Sequence, residues 1–157
     1  MITTATESDG AGILHITKNA GVFNQEEIDC VAELWDEHLR QGSEISGYYF
    51  LVDREDEQVT GYACYGPRAL TEGTFDLYWI AVDPQNRRSG LGRKLLVRVE
   101  EAVRQLGGRL LVVETSGLEK YAPTRRFYLA TGYLLEATLR DFYADGDDLV
   151  IFTKRLL

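Results

Sequence analysis

Cysteine and histidine are scarce in this chain, with two of each and no C-x-x-C pair. That shortage excludes a disulfide framework and a spaced Cys/His ligand set, so no metal site is expected and a reducing cytoplasm is the expected setting. Long apolar runs are missing as well. No stretch approaches the roughly 18 uninterrupted apolar residues of a membrane span, and the opening MITTATESDGAG has neither the basic nor the apolar region of a secretory signal. Positive charge is the third shortage, because 17 Lys and Arg face 25 Asp and Glu for a net charge of −8. Broad nucleic-acid or anionic-membrane binding needs clustered cations, so neither partner is expected. What is present is a 157-residue chain, 45% apolar. That is long enough for one domain over 1–157 with a sizeable core, residues 1–11 being expected to fray.

The few cations concentrate at Arg87, Arg88, Arg93 and Lys94, and again at Arg125 and Arg126, a pattern suited to a small anion. Periodicity places these clusters. GILHITKNAGV supplies a first strand, and FNQEEIDCVAELWDEHLRQ a first helix with Asn24 as N-cap and Glu27 closing a capping box. GYYFLVDRED and QVTGYACYG read as a hairpin, and TFDLYWIAVD as a fourth strand ending at Asp83 and Pro84. From Gly92, Leu95, Leu96, Val99, Val103 and Leu106 repeat at helical spacing until Gly107 and Gly108. RLLVVETSG then reads as a strand buried on both faces, and APTRRFYLAT as a shorter helix opened by Pro123. YLLEATLRDFY and DDLVIFTKRLL form a last hairpin. The order predicts a mixed α/β sheet with one parallel crossover.

The densest positive charge, NRRSGLGRKLL, therefore falls at the turn between the fourth strand and the crossover helix. Amides at a helix start lack intrahelical partners and the dipole there is positive, so such a turn attracts phosphate. Gly90 and Gly92 allow close backbone approach, and Arg87 and Arg88 can add charge-assisted contacts, unless the arginines form only a solvated basic turn. A P-loop is excluded because Lys94 lies between Arg93 and Leu95, and a dinucleotide fingerprint because Leu95 stands where its third glycine belongs.

R-x-x-G-x-G from Arg87 to Gly92, directly after a strand ending IAVDP, resembles the pyrophosphate motif of the GNAT superfamily of acetyl-CoA-dependent N-acetyltransferases. A second block, YAPTRRFYLATGY, is similar to the family's N-x-x-A-x-x-F-Y-x-x-x-G-F stretch. Phe127, Tyr128, Gly132 and Tyr133 match, while Tyr121 and Thr124 depart from its Asn and Ala. The resemblance covers about residues 12–157 and implies a GNAT-like acyl-CoA N-acyltransferase fold with six to seven strands and about four helices. It also implies a splay between the fourth and fifth strands, pantetheine pairing with Ile80, Ala81 and Val82, and a diphosphate held by Arg87, Arg88, Ser89, Gly90, Gly92, Arg93 and Lys94. The implied activity is direct transfer of an acetyl group from acetyl-CoA to a primary amine of a small molecule or peptide. The alternative is a non-catalytic module that senses acyl-CoA.

Transfer to an amine needs a base. An alkylamine of pKa about 10.4 is neutral only about one part in a few thousand at pH 7, a barrier contribution of roughly 4–5 kcal/mol. Asp76 stands on the strand where several family members carry a glutamate, and either takes that proton or marks the strand's solvated beginning. Glu114, ending the fifth strand, is a second candidate, or is ion-paired to Arg125 or Arg126. Burial would fit either carboxylate for the task by raising its pKa. Tyr128 takes the motif position that protonates the departing thiolate, with Phe127 turned into the core, unless it is itself a half-buried core residue. Cys64 reads as a small buried hydrophobe. The acid- and tyrosine-rich segments DEHLRQGSEISGYY and RDFYADGDD suit a cationic acceptor such as a polyamine, amino sugar or lysine-like compound. Homodimers are common in the family, and a homodimer is an open possibility here.

Overall fold

The segment 12–22, which its apolar content marks as a strand, is helical over most of its length, as part of Gly10–Asn19. In the computed structural model, which describes residues 1–87 and 89–157, Ile13, Ile16 and Thr17 of that segment are buried at i, i+3 and i+4 spacing. A helix lays all three on one face, whereas a strand would put Ile13 and Ile16 on opposite faces. The first strand comes earlier, at β1 (Ile2–Thr4), within the segment expected to fray. There follow a 3-10 turn Glu7–Asp9, α1 (Gly10–Asn19), α2 (Gln25–Ser46), β2 (Tyr49–Glu55), β3 (Gln58–Pro67) and β4 (Thr74–Val82). The chain continues through α3 (Leu91–Gln105), β5 (Leu110–Ser116), α4 (Ala122–Ala130), β6 (Leu134–Ala144) and β7 (Asp147–Arg155). The seven strands run in the order β1-β2-β3-β4-β5-β7-β6, with β4 and β5 parallel. The chain divides into two compact units, Met1–Gly66 with Tyr78–Ala102, and Pro67–Leu77 with Val103–Leu157.

In the first unit the core gathers Ile13, Ile16, Val31, Trp35, Phe50, Val52 and Tyr62. Trp35 packs edge-on to Phe50 at 5.0 Å, and the buried Tyr62 hydroxyl is satisfied by Thr17 at 2.7 Å. Helix α2 starts as its sequence dictates. Glu27 N–H donates to Asn24 Oδ1 at 2.9 Å and Asn24 N–H to Glu27 Oε1 at 3.1 Å, closing the capping box. It runs past the expected end, but Gly42 at φ 78°, ψ 170° breaks its course, a conformation that L side chains rarely adopt. The β2–β3 hairpin turns on Asp56 and Glu57, both with positive φ, the two-residue geometry that matches strand twist.

Asp9 ties down the N-terminal segment. It is buried and takes a two-pronged contact from Arg54: Nε donates to Oδ1 at 2.8 Å and Nη2 to Oδ2. Thr6 N–H adds a bond at 2.7 Å. Burial alone would raise the Asp9 carboxyl, but Arg54 and the Thr6 donors outweigh it and hold the group below its ordinary value. A carboxylate depressed in the folded state stabilises the fold at neutral pH, and that contribution disappears as pH falls through the carboxylate range. Removing one partner strands the other's charge, so Asp9→Ala is expected to cost about 3 kcal/mol in urea unfolding at pH 7. The gap between variant and parent should narrow on acidification.

The second unit is built on β5, β7 and β6, all antiparallel to their neighbours in that set. Its buried apolar residues include Leu77, Leu111, Val113, Tyr128 and Phe152. Strand β5 is not buried on both faces, as its apolar run suggests. Leu111, Val113 and Thr115 are buried, whereas Glu114 is exposed, because the face of Val112 and Glu114 carries an ion-pair cluster with Asp76 and Arg68.

Candidate active site

The first unit presents the basic turn. Strand β4 ends at Val82, and Asp83 Oδ1 accepts from Gln85 N–H at 2.9 Å to start a 3-10 turn at Pro84–Asn86. Ser89 Oγ donates to the Asn86 carbonyl at 2.6 Å. Gly90 then takes φ 78°, and Lys94 N–H closes onto its carbonyl at 3.1 Å. The amides of Leu91 and Gly92 precede that bond and are among the donors a helix start leaves without intrahelical partners. A Cβ on Gly90 would meet nothing within 4 Å, so the turn faces open space on that side. The expected residues divide by role. Arg87 is anchored, its Nη2 donating to the Ala20 carbonyl just past α1, while Arg93 and Lys94 are exposed. Arg88 lies outside the described residues. Among the described residues β4 has no β5 partner past Leu77, whose register mate is Val113; Ile80, Ala81 and Val82 follow that point.

The second unit brings both expected carboxylates together through a residue that no sequence motif singles out, Arg68. Asp76 is level with Val112 in the parallel register, so Glu114, two residues on, shares its face. Arg68 Nε donates to Asp76 Oδ2 and Nη2 to Oδ1, both at 2.7 Å, and Nη2 reaches Glu114 Oε1 at 3.1 Å. Hydrogen bonding to Asp76 first, then to Glu114, pushes the Arg68 pKa further up, so the guanidinium stays charged. Asp76 is buried, not a solvated strand start, and Arg68 occupies both its oxygens. Glu114 is held more loosely. Its side chain is 40% exposed and only Oε1 has a partner among the described residues. Arg125 does not pair with it, bonding instead to the carbonyls of Ser116 and Leu118, both at 2.8 Å. One cation between two carboxylates leaves the cluster a formal charge of −1.

Tyr128 is more deeply placed than expected. At 3% exposure it is the buried member of its pair, while Phe127 is half-buried, the reverse of the expected arrangement. The reason is the aromatic nest around it: Phe127 at 5.3 Å, Tyr133 at 5.7 Å and Phe152 at 5.7 Å. Burial pushes its phenol well above the ordinary range and keeps it neutral. Its hydroxyl has no hydrogen-bond partner among the described residues. The buried Cys64 thiol is also pushed up by desolvation, consistent with packing and not with a nucleophile.

The model of the acetyltransferase (GNAT) family matches residues 16–133, three quarters of the chain. This chain belongs to the GNAT family. It is thereby an acetyl-CoA-dependent N-acetyltransferase, and the seven strands and four helices are those of a GNAT fold. A GNAT-family structure from Desulfovibrio desulfuricans is 47% identical and superposes with a TM-score of 0.96, covering 100% of this chain and 99% of that one. The L-methionine sulfoximine/L-methionine sulfone acetyltransferase of Salmonella typhimurium is 30% identical over 85% of this GNAT chain and 75% of its own. The L-amino acid N-acyltransferase MnaT of Escherichia coli is 31% identical over 71% of this chain and 67% of its own. The member of the carboxylate cluster that the sequence does not single out is Arg68. It stands in no motif, and its partner Glu114 is 46 residues away.

Proposed function

We propose that this enzyme acetylates the α-amine of a small amino acid or a close analogue. The observation that carries the reading is the Arg68–Asp76–Glu114 cluster, whose surplus negative charge sits on the second oxygen of an accessible glutamate. Such a group attracts a substrate ammonium and then accepts its proton. Glu114 is the base in this reading, chosen for its free oxygen and access to an acceptor although it lacks the burial expected of a base, and Asp76 is a positioning residue that fixes Arg68 and through it Glu114. The two relatives that act on amino acids support an amino-acid acceptor over the polyamines and amino sugars that the acidic segments also suit.

Acetyl-CoA supplies an activated acetyl thioester. The open, positive-φ turn at Gly90 fits a diphosphate, with the amides of Leu91 and Gly92, Ser89 and the exposed Arg93 and Lys94 as its contacts. Arg87 fixes the turn through Ala20, and backbone groups of Ile80–Val82 are the seat for the pantetheine arm. As the amine nitrogen bonds to the acetyl carbon, its proton passes to Glu114. As the carbon–sulfur bond breaks, the departing sulfur is met by the Tyr128 hydroxyl, a buried donor with no competing partner among the described residues.

The test is thiol release from acetyl-CoA across L-amino acids, L-methionine sulfone and sulfoximine, polyamines and amino sugars. Turnover is expected with the amino acids and their analogues, and to vanish when the α-amine is already acetylated. Turnover confined to polyamines or peptides would overturn the acceptor assignment. With the best acceptor, Glu114→Gln should lower kcat about 100-fold and flatten the acid limb of the kcat profile, as loss of a general base does.

A further inference from the structure

Arg68 has donors left over after joining the two carboxylates. Its Nε and one terminal nitrogen, Nη2, make every contact to Asp76 and Glu114. The other terminal nitrogen, Nη1, has no partner among the described residues, and the side chain is 46% exposed. A guanidinium carries its five N–H donors in a rigid fork, so the two bonds to Asp76 also fix the direction of those on Nη1. The backbone is held as firmly. Arg68 N–H donates to the Thr74 carbonyl at 2.8 Å, and Thr71 Oγ1 donates to the Arg68 carbonyl at 2.8 Å, closing the turn that leads into β4. A cation anchored at both ends and still accessible offers its spare donors to a ligand.

The neighbouring glutamate indicates which ligand. Nη1 shares its carbon with Nη2, and Glu114 Oε2 shares its carbon with Oε1, so a free donor and a free acceptor are each one carbon removed from the 3.1 Å Nη2–Oε1 bond. A molecule that satisfies both carries an anion and an ammonium a short distance apart, as an α-amino acid does. Building on the amino-acid reading above, we propose that Arg68 Nη1 binds the α-carboxylate of the acceptor while Glu114 takes its α-amine, which makes Arg68 the residue that selects α-amino acids. Polyamines and amino sugars present the amine alone and leave Nη1 without a partner. Hydrogen bonds to both carboxylates keep the guanidinium charged, so its contact to a substrate carboxylate is charge-assisted.

Steady-state thiol release tests this by comparing L-methionine sulfone, and every other L-amino acid that the enzyme acetylates, with the matching carboxamide, whose α-carboxylate is replaced by a neutral group. The amine beside an amide is the weaker base, so the supply of neutral amine favours the carboxamide. Even so, its kcat/KM is expected to be about 100-fold lower, with most of the loss in KM, because a contact made in the ground state and transition state alike is missing. In Arg68→Lys, which keeps the charge but not the fork, the preference for the acid should shrink to less than about tenfold. Looser holding of Glu114 in that variant lowers kcat for both compounds alike and leaves their ratio unchanged, so the ratio reads the carboxylate contact. Equal use of acid and carboxamide by the parent would overturn the assignment of Arg68 alone. Acetylation of no amino acid would overturn it together with the amino-acid reading. An Arg68→Lys enzyme with the parent's full preference would also overturn it. The parent comparison needs no substitution, so it decides the matter even where Arg68→Lys fails to fold.

Discussion

Tyr128→Phe is expected to lower kcat about 1,000-fold while leaving the KM for acetyl-CoA within twofold. Positioned proton donors contribute about 10²–10⁴-fold to such reactions, and the proposed reading assigns the phenol a full share. It is buried, kept neutral by desolvation, and has no partner among the described residues to compete for its proton. The same substitution should leave the melting temperature unchanged. The hydroxyl has no partner among the described residues to strand, and the ring contacts with Phe127, Tyr133 and Phe152 persist. A tyrosine that serves only as packing would show neither the kcat loss nor this separation of activity from stability. Since burial raises the phenol's pKa, it also remains a donor beyond the pH at which an exposed tyrosine ionises. Steady-state thiol release and a thermal melt on the same preparation decide the matter.

The second large effect is at Gly90. Gly90→Glu should weaken acetyl-CoA binding about 1,000-fold by calorimetry, roughly 4 kcal/mol. A non-glycine residue at φ 78° costs on the order of 1–3 kcal/mol, and the added carboxylate opposes a diphosphate in the space that is open beside the turn. Gly90→Ala, with the backbone cost but no charge, should lose only about tenfold. Unchanged binding in Gly90→Glu would remove the diphosphate from this turn.

The sequence made local features legible and hid distant ones. The Asn24–Glu27 capping box, the crossover helix ahead of Gly107 and the hairpin around Asp56 and Glu57 are written within a few residues of where they form. Residues 12–22 mislead because their β-branched members favour a strand while the burial pattern of α1 is helical, and tertiary burial wins. The Asp9 anchor needs Arg54, 45 residues on. The site shows the same division. The basic turn and Tyr128 belong to contiguous motifs, but the geometry that sorts Asp76 from Glu114 depends on Arg68, and no spacing rule connects those three positions. The inverted burial of Phe127 and Tyr128 arises from Phe152, contributed by a strand that follows in the chain.

Strand β7 bonds to β5 along one edge and to β6 along the other. The outer β6 holds one ladder and can fray alone, but peeling β7 away ruptures two at once. Fraying from that edge is therefore checked at β7, and the glutamate assigned to proton transfer lies beyond it on β5.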